Sequence, residues 1–115
     1  MRTAQEKVFH AIRCQQSEAD FTKQVLALAK LKGWRSFHAR PGRTKDGWKT
    51  SLSGDGCGFL DLVLVKNRVI WVELKSENGK LRESQRQWLV ALKAAHQEVY
   101  VWRPSQWTLI ETTLE

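Results

Sequence analysis

Cysteine, proline and long apolar runs are scarce in this chain, and each scarcity removes a class of protein. Only Cys14 and Cys57 are cysteines among 115 residues. Neither stands in a CxxC or Cys/His ligand spacing, and His10, His38 and His96 are scattered, which argues against a disulfide framework or a structural zinc site. Two free thiols in a reducing compartment are the expectation. No stretch approaches the roughly 18 consecutive apolar residues of a membrane span. The opening MRTAQEKVFHAIRCQQ has neither an apolar h-region nor a small-residue cleavage site, so it does not read as a secretory signal, and a cytoplasmic location is expected by default. Acids are outnumbered as well: 12 Asp and Glu face 19 Lys and Arg, for a net charge of +7 and a pI near 9.8. Such a surface attracts polyanions. The imbalance peaks between residues 30 and 49, where Lys30, Lys32, Arg35, Arg40, Arg43, Lys45 and Lys49 meet a single acid, Asp46. A solvated basic loop is the plain explanation of this run; a nucleic-acid path is the favoured one.

What is present suits one compact domain. Residues 3–15 form a possible short helix with Val8, Phe9 and Ile12 on one face, and residues 1–16 read as an extension ahead of a domain over 17–115. Ser17 is placed to cap a helix over 18–32, with Asp20 three residues on. Phe21, Val25, Leu28, Ala29 and Lys32 make its stripe, and Gly33 stops it. WRSFHAR (34–40) alternates as a strand. The segment 41–58 holds five of the seven glycines and no sustained period, the mark of a functional loop. FLDLVLV (59–65) and VIWVELK (69–75) are apolar and β-branched, and only KNR separates them, which requires an antiparallel hairpin. A helix over about 82–96 with Trp88, Leu89, Leu92 and Ala95 buried, a strand EVYVW (98–102) ended by Pro104, and a short helix over 105–114 complete the order. Trp34, Trp71, Trp88 and Trp102 fall at core periods.

The hairpin gathers ionisable groups by counting alone. If residues 66–68 form a three-residue loop, Val65 pairs with Val69, and Asp61 lies opposite Glu73 with Cβ atoms about 5 Å apart. Lys75, two residues further, shares their face. A two-residue turn would instead put Val72 opposite Asp61 and send the two acids to opposite faces. Acidic-x-Lys patterns on strands are commonly solvated ion pairs, but Asp61 interrupts an apolar strand, where a charge is costly unless paired or metal-bound. Two converging carboxylates suit a hard divalent cation, Mg2+ or Mn2+. The Leu74 carbonyl between Glu73 and Lys75 is positioned as a third protein ligand. This chemistry fits phosphodiester hydrolysis.

The stretch GFLDLVLV, three residues, then VIWVELKSENGKLRESQRQWLVALKAAHQEVYVWRPSQW resembles the VRR-NUC (virus-type replication-repair nuclease) branch of the PD-(D/E)xK nucleases over about residues 17–110. The resemblance implies an α/β fold, a restriction-endonuclease-like mixed sheet of about four strands flanked by helices. It implies a Mg2+- or Mn2+-dependent DNA endonuclease, acting in repair or recombination in a bacterium or a phage-infected host. A homodimer and a branched or Holliday-type substrate are implied too. Asp61 and Glu73 correspond to the metal-binding acids, and Lys75 to the catalytic lysine. Gln85 corresponds to a helix glutamine that orients Lys75 or contacts DNA, and Glu18 to a first-helix acid that reaches the metal through water. His38 corresponds to a strand histidine near the substrate groove. Arg40, Arg43, Lys45 and Lys49 could then line the DNA path, with Trp48 stacking on an unpaired base. Simpler readings stand beside these: Gln85 as a surface residue, Glu18 as a first-turn acid favoured by the helix dipole, His38 and Trp48 as packed side chains. The family's proline before the aspartate is Leu60 here, which keeps the site apolar and restores an N–H to the ladder. The rival to an enzyme is a basic DNA-binding or recombination-accessory module with the same fold and no catalysis.

Overall fold

The computed structural model describes residues 2–39, 42–44, 47–49 and 54–115, with the backbone alone at 42–44 and 47–49. Helix α1 (Ala4–Cys14) starts at a reciprocal cap: Glu6 N donates to Thr3 Oγ1 at 3.1 Å and Thr3 N donates to Glu6 Oε2 at 3.3 Å. Helix α2 (Glu18–Leu31) starts at Ser17, whose hydroxyl accepts from Asp20 N. Asp20, one methylene shorter than glutamate, makes no return bond. Strand β1 (Arg35–His38) follows the turn at Gly33, and β2 (Gly42–Thr44) and β3 (Gly47–Lys49) pair with each other as a separate ladder. Strands β4 (Leu62–Val65) and β5 (Val69–Leu74), helix α3 (Glu83–Ala94), strand β6 (Glu98–Trp102), a 3-10 turn (Pro104–Gln106) and helix α4 (Trp107–Thr113) complete the chain.

Four strands form a mixed sheet in the order β1-β4-β5-β6, flanked by the helices, which is the expected α/β architecture. The β4–β5 hairpin pairs Val65 with Val69 and Leu62 with Val72, the register of a three-residue loop. β5 and β6 run parallel, and α3 is the crossover that a parallel pair requires. One face of the sheet carries Leu62, Leu64, Ile70, Val72, Leu74 and Trp102. It packs against Phe21, Val25 and Ala29 of α2, Ile110 of α4, Leu114 and Trp34, each at most 5% exposed. Trp34 Nε1 donates to Leu114 O at 2.9 Å, which satisfies the indole inside that core. At the hairpin's tip, Arg68 joins three elements, bonding Glu98 Oε1 of β6 at 2.8 Å and Thr113 O of α4 at 3.0 Å.

Three expectations need correction. The segment 41–58 is not wholly without regular structure, since β2 and β3 lie within it, and no apolar alternation in the sequence marks either strand. The strand 59–65 begins only at Leu62, because Phe59 turns to meet Trp71 and Trp88 edge-on, with ring centroids 6.1 and 4.8 Å away. Helix α3 buries a single residue, the polar Gln85. Trp71, Trp88, Leu89 and Leu92 are only partly buried and Ala95 is exposed, because α3 packs near β6 and, among the described residues, no layer seals this side of the sheet as α2 seals the other.

Helix α3 ends with a residue that sequence patterning would not place there. Gln97 N bonds Leu92 O and His96 N bonds Lys93 O, both at 3.0 Å, with His96 at φ 60°. This is the C-terminal motif normally completed by glycine in the left-handed region. His96→Gly is expected to stabilise the fold by about 1 kcal/mol; chemical denaturation checks it, and a destabilised variant would contradict the strain.

Candidate active site

One step past Leu62↔Val72, the hairpin register puts Asp61 opposite Glu73. At that step the backbone ladder gives way to a side chain: Leu74 N donates to Asp61 Oδ2 at 2.9 Å. The main chain of Asp61 still pairs on its other side, where its carbonyl accepts from Ala39 N at 3.1 Å. Asp61 is therefore fixed between β1 and β5, and its carboxylate caps the end of the β4–β5 ladder. Within a strand, the N–H and C=O of one residue point toward the same neighbour. The Leu74 carbonyl thus faces the Asp61 side of β5, where a third oxygen is wanted.

Glu73 sits between β4 and β6 and is 1% exposed. Its Oε1 accepts from Gln85 Nε2 at 3.0 Å, and Lys75 Nζ stands 4.0 Å from the same oxygen. Gln85 is held in turn at the start of α3, where its own Oε1 accepts from Arg82 N at 2.9 Å. The other oxygen, Glu73 Oε2, is buried with no hydrogen-bond partner among the described residues. Asp61 is its neighbour, but two carboxylates offer only acceptors and can bond only by sharing a proton. Burial, this acid–acid contact and the Asp61 charge push the Glu73 carboxyl up to about 9; the Lys75 ammonium offsets part of the rise and Glu18 adds a smaller push.

Such a pair is relieved either by a shared proton or by a cation. The oxygens present fit a hard divalent ion that keeps most of its waters: two carboxylates, one of them with an unpaired buried oxygen, and the adjacent Leu74 carbonyl. Among the described residues no three His, Cys, Asp or Glu side chains gather as a metal-holding group.

The structure brings Asp61, Glu73, Lys75 and Gln85 together. Gln85 reaches Glu73, not Lys75 and not solvent. Glu18, exposed at the first turn of α2, is close enough to act on Glu73 electrostatically. His38 lies at the end of β1 opposite Leu62, partly buried. Arg40 and Lys45 fall outside the described residues, as do the side chains of Arg43, Trp48 and Lys49, whose backbones pair in β2 and β3. Leu60, in the place of the expected proline, is 1% exposed and belongs to the core.

Two further positions shape the site. Gly58 has φ +81°, and a Cβ there would stand 2.5 Å from Ser84 Cβ and Oγ and 2.6 Å from Ser84 C. The loop ahead of Asp61 thus lies directly on the start of α3, which fixes the strand bearing Asp61 against the helix bearing Gln85. Its trace in the sequence is the glycine of GFLD. Arg103 bonds the turn after Lys75, and nothing in its spacing pointed to it. A cavity of about 550 Å³ lined by Asp55, Cys57, Ser84, Gln87 and Trp88 opens along the same loop, and neither acid lines it.

A family model described as the VRR-NUC domain matches residues 3–106. No curated protein and no solved structure matches the chain.

Two outcomes follow from this geometry. A carboxyl whose folded pKa is raised adds stability that is complete below its unfolded value, 4.5, and is lost as pH rises through about 9. The metal-free protein should lose stability steadily between those limits, and Glu73→Gln should flatten that slope; thermal melts across pH measure both. Gly58→Ala should cost about 2–4 kcal/mol, since it adds left-handed strain to a backbone clash; a destabilisation under about 1 kcal/mol on denaturation would refute the close packing.

Proposed function

The chain belongs to the VRR-NUC domain family, a family of nucleases, and from that membership we propose that it is a Mg2+- or Mn2+-dependent DNA endonuclease with Asp61, Glu73 and Lys75 as its catalytic residues. The observation that carries this reading is the unpartnered, buried Glu73 Oε2 beside a second carboxylate. Two acids held this close to a polyanionic substrate serve no binding purpose unless a cation joins them.

Asp61, Glu73 and the Leu74 carbonyl would hold the ion, with Glu18 reaching it through water. Bound there, a divalent ion polarises the scissile phosphate and lowers the pKa of water. Gln85 keeps Glu73 Oε1 occupied, which leaves Oε2 free for the ion. Lys75, its side chain 12% exposed, presents an ammonium to the attacking water or to the charge that develops on the pentacoordinate phosphate. The net charge of +7 favours DNA. Arg40, Arg43, Lys45 and Lys49, with Trp48 and His38, are the residues proposed to line its path.

A single set of these residues cuts one strand, and severing both strands of a branch takes two. A homodimer acting on branched or Holliday-type DNA in the cytoplasm is the form proposed. No helix among the described residues is long and apolar enough to cross a membrane.

A cleavage assay on linear, flap, splayed and four-way DNAs with Mg2+ or Mn2+ tests this directly. Branched DNA should be cut, and EDTA should stop the reaction. Lys75→Ala should lower the rate by about 100-fold or more while DNA affinity stays within about twofold. Lys75→Ala cutting at the wild-type rate would overturn the catalytic assignment. Arg43→Ala combined with Lys45→Ala should weaken DNA binding and make it less salt-dependent, the slope of log affinity against log salt falling by roughly one for each phosphate no longer neutralised.

A further inference from the structure

The Lys75 ammonium is close to its partner but not bonded to it. Nζ lies 4.0 Å from Glu73 Oε1, beyond hydrogen-bond length, and no hydrogen bond reaches Nζ from the described residues. Lysine is a point charge on a flexible four-carbon stem. Something other than a bond to its head must therefore aim it.

The turn that follows β5 supplies a wall. Gly79 N closes this turn onto Ser76 O at 3.2 Å. A Cβ on Gly79 would stand 3.5 Å from Lys75 Cδ and 2.9 Å from Ser76 Oγ, so the Gly79 backbone lies along the lysine stem. Arg103 holds the turn from outside through the turn's own carbonyls. Arg103 Nη1 donates to Ser76 O at 2.7 Å, Gly79 O at 2.7 Å and Glu77 O at 3.2 Å. Bonds from an ionised donor are about twice as strong as neutral ones. Arg103 is itself fixed, its backbone N donating to Gln106 Oε1 at 2.9 Å. Two further ties run alongside: Lys75 N to Trp102 O, and Ser105 N to Glu77 Oε2, both at 3.0 Å.

We propose that Arg103 is a positioning residue for Lys75: by binding the carbonyls of residues 76, 77 and 79, it holds the turn against the lysine stem and aims the ammonium at the Asp61/Glu73 pair. The catalytic consequence rests on the nuclease reading above; the placement of the lysine does not.

The test has one arm that needs no cleavage. In protein carrying 13C at its lysine ε-carbons, the Lys75 resonance is identified by its loss in Lys75→Arg. At one fixed pH it should stand apart from the exposed Lys66. Arg103→Ala should move it toward the exposed-lysine value and leave Lys66 unchanged. Arg103→Lys, which returns an ammonium donor to the carbonyls, should recover at least about half of the displacement. A Lys75 resonance unmoved in folded Arg103→Ala overturns the proposal. Should Arg103→Ala not fold, Arg103→Met decides, because it keeps an unbranched stem and removes the donor to all three carbonyls; an unmoved Lys75 resonance there overturns the proposal equally. In the cleavage arm, Arg103→Ala should lower kcat about 10- to 100-fold, as a misplaced catalytic group does, with KM for DNA within about twofold. An unchanged kcat overturns the catalytic consequence. Absence of cleavage by the wild-type protein would refute the nuclease reading and leave the resonance arm decisive for the placement.

Discussion

Two carboxyl groups forced together inside a sheet are the constraint on which this structure turns. Asp61 and Glu73 face each other where the β4–β5 ladder ends, and Glu73 is 1% exposed. Apolar packing would be better served by almost any other pair of residues. The surrounding groups partly answer the cost: Leu74 N bonds Asp61, Gln85 bonds Glu73, and Lys75 stands 4.0 Å from Glu73. They do not cancel it, since Glu73 Oε2 keeps no partner. Such an arrangement persists only because the rest of the sheet is secured by the apolar layer of α2, α4 and Trp34 beneath it. Apolar packing is concentrated on one side of the sheet, and the ionisable cluster on the other.

Much of the framework around this pair serves to hold acceptors and donors at fixed places. Gln85 is locked by the start of α3 before it reaches Glu73, and Gly58 allows the loop ahead of Asp61 to lie on that same helix. Arg103 fastens the turn on the other side. Each device connects segments far apart in the chain, so the position of the acids depends on α3 and β6 as well as on the hairpin that carries them.

The legible part of this design was local. Three residues between two β-branched runs set the register, and the register alone placed Asp61 across from Glu73. The interruption of an apolar strand by an acid marked the site without any knowledge of the fold. Family resemblance extended the reading to Gln85 and Glu18. Tertiary choices stayed hidden. That Gln85 would turn to Glu73 depends on the angle at which α3 meets the sheet, which no spacing encodes. Trp88, Leu89 and Leu92 repeat as a buried stripe does, yet they are only partly covered, because periodicity reports which face is apolar and not how completely another layer covers it. Arg103 binds carbonyls, and backbone oxygens leave no trace in a sequence.

On the proposed reading, Asp61 and Glu73 together form a single cation site which, without its ion, holds a proton instead. Calorimetric titration of Mn2+ near pH 7, in buffers of different ionisation enthalpy, counts the protons displaced by the ion. About one proton should be released per ion bound by the wild-type protein, and none from Glu73→Gln, because the Glu73 carboxyl is pushed up to about 9. Binding that releases no proton, or binding left unchanged by Asp61→Asn, would contradict a shared site.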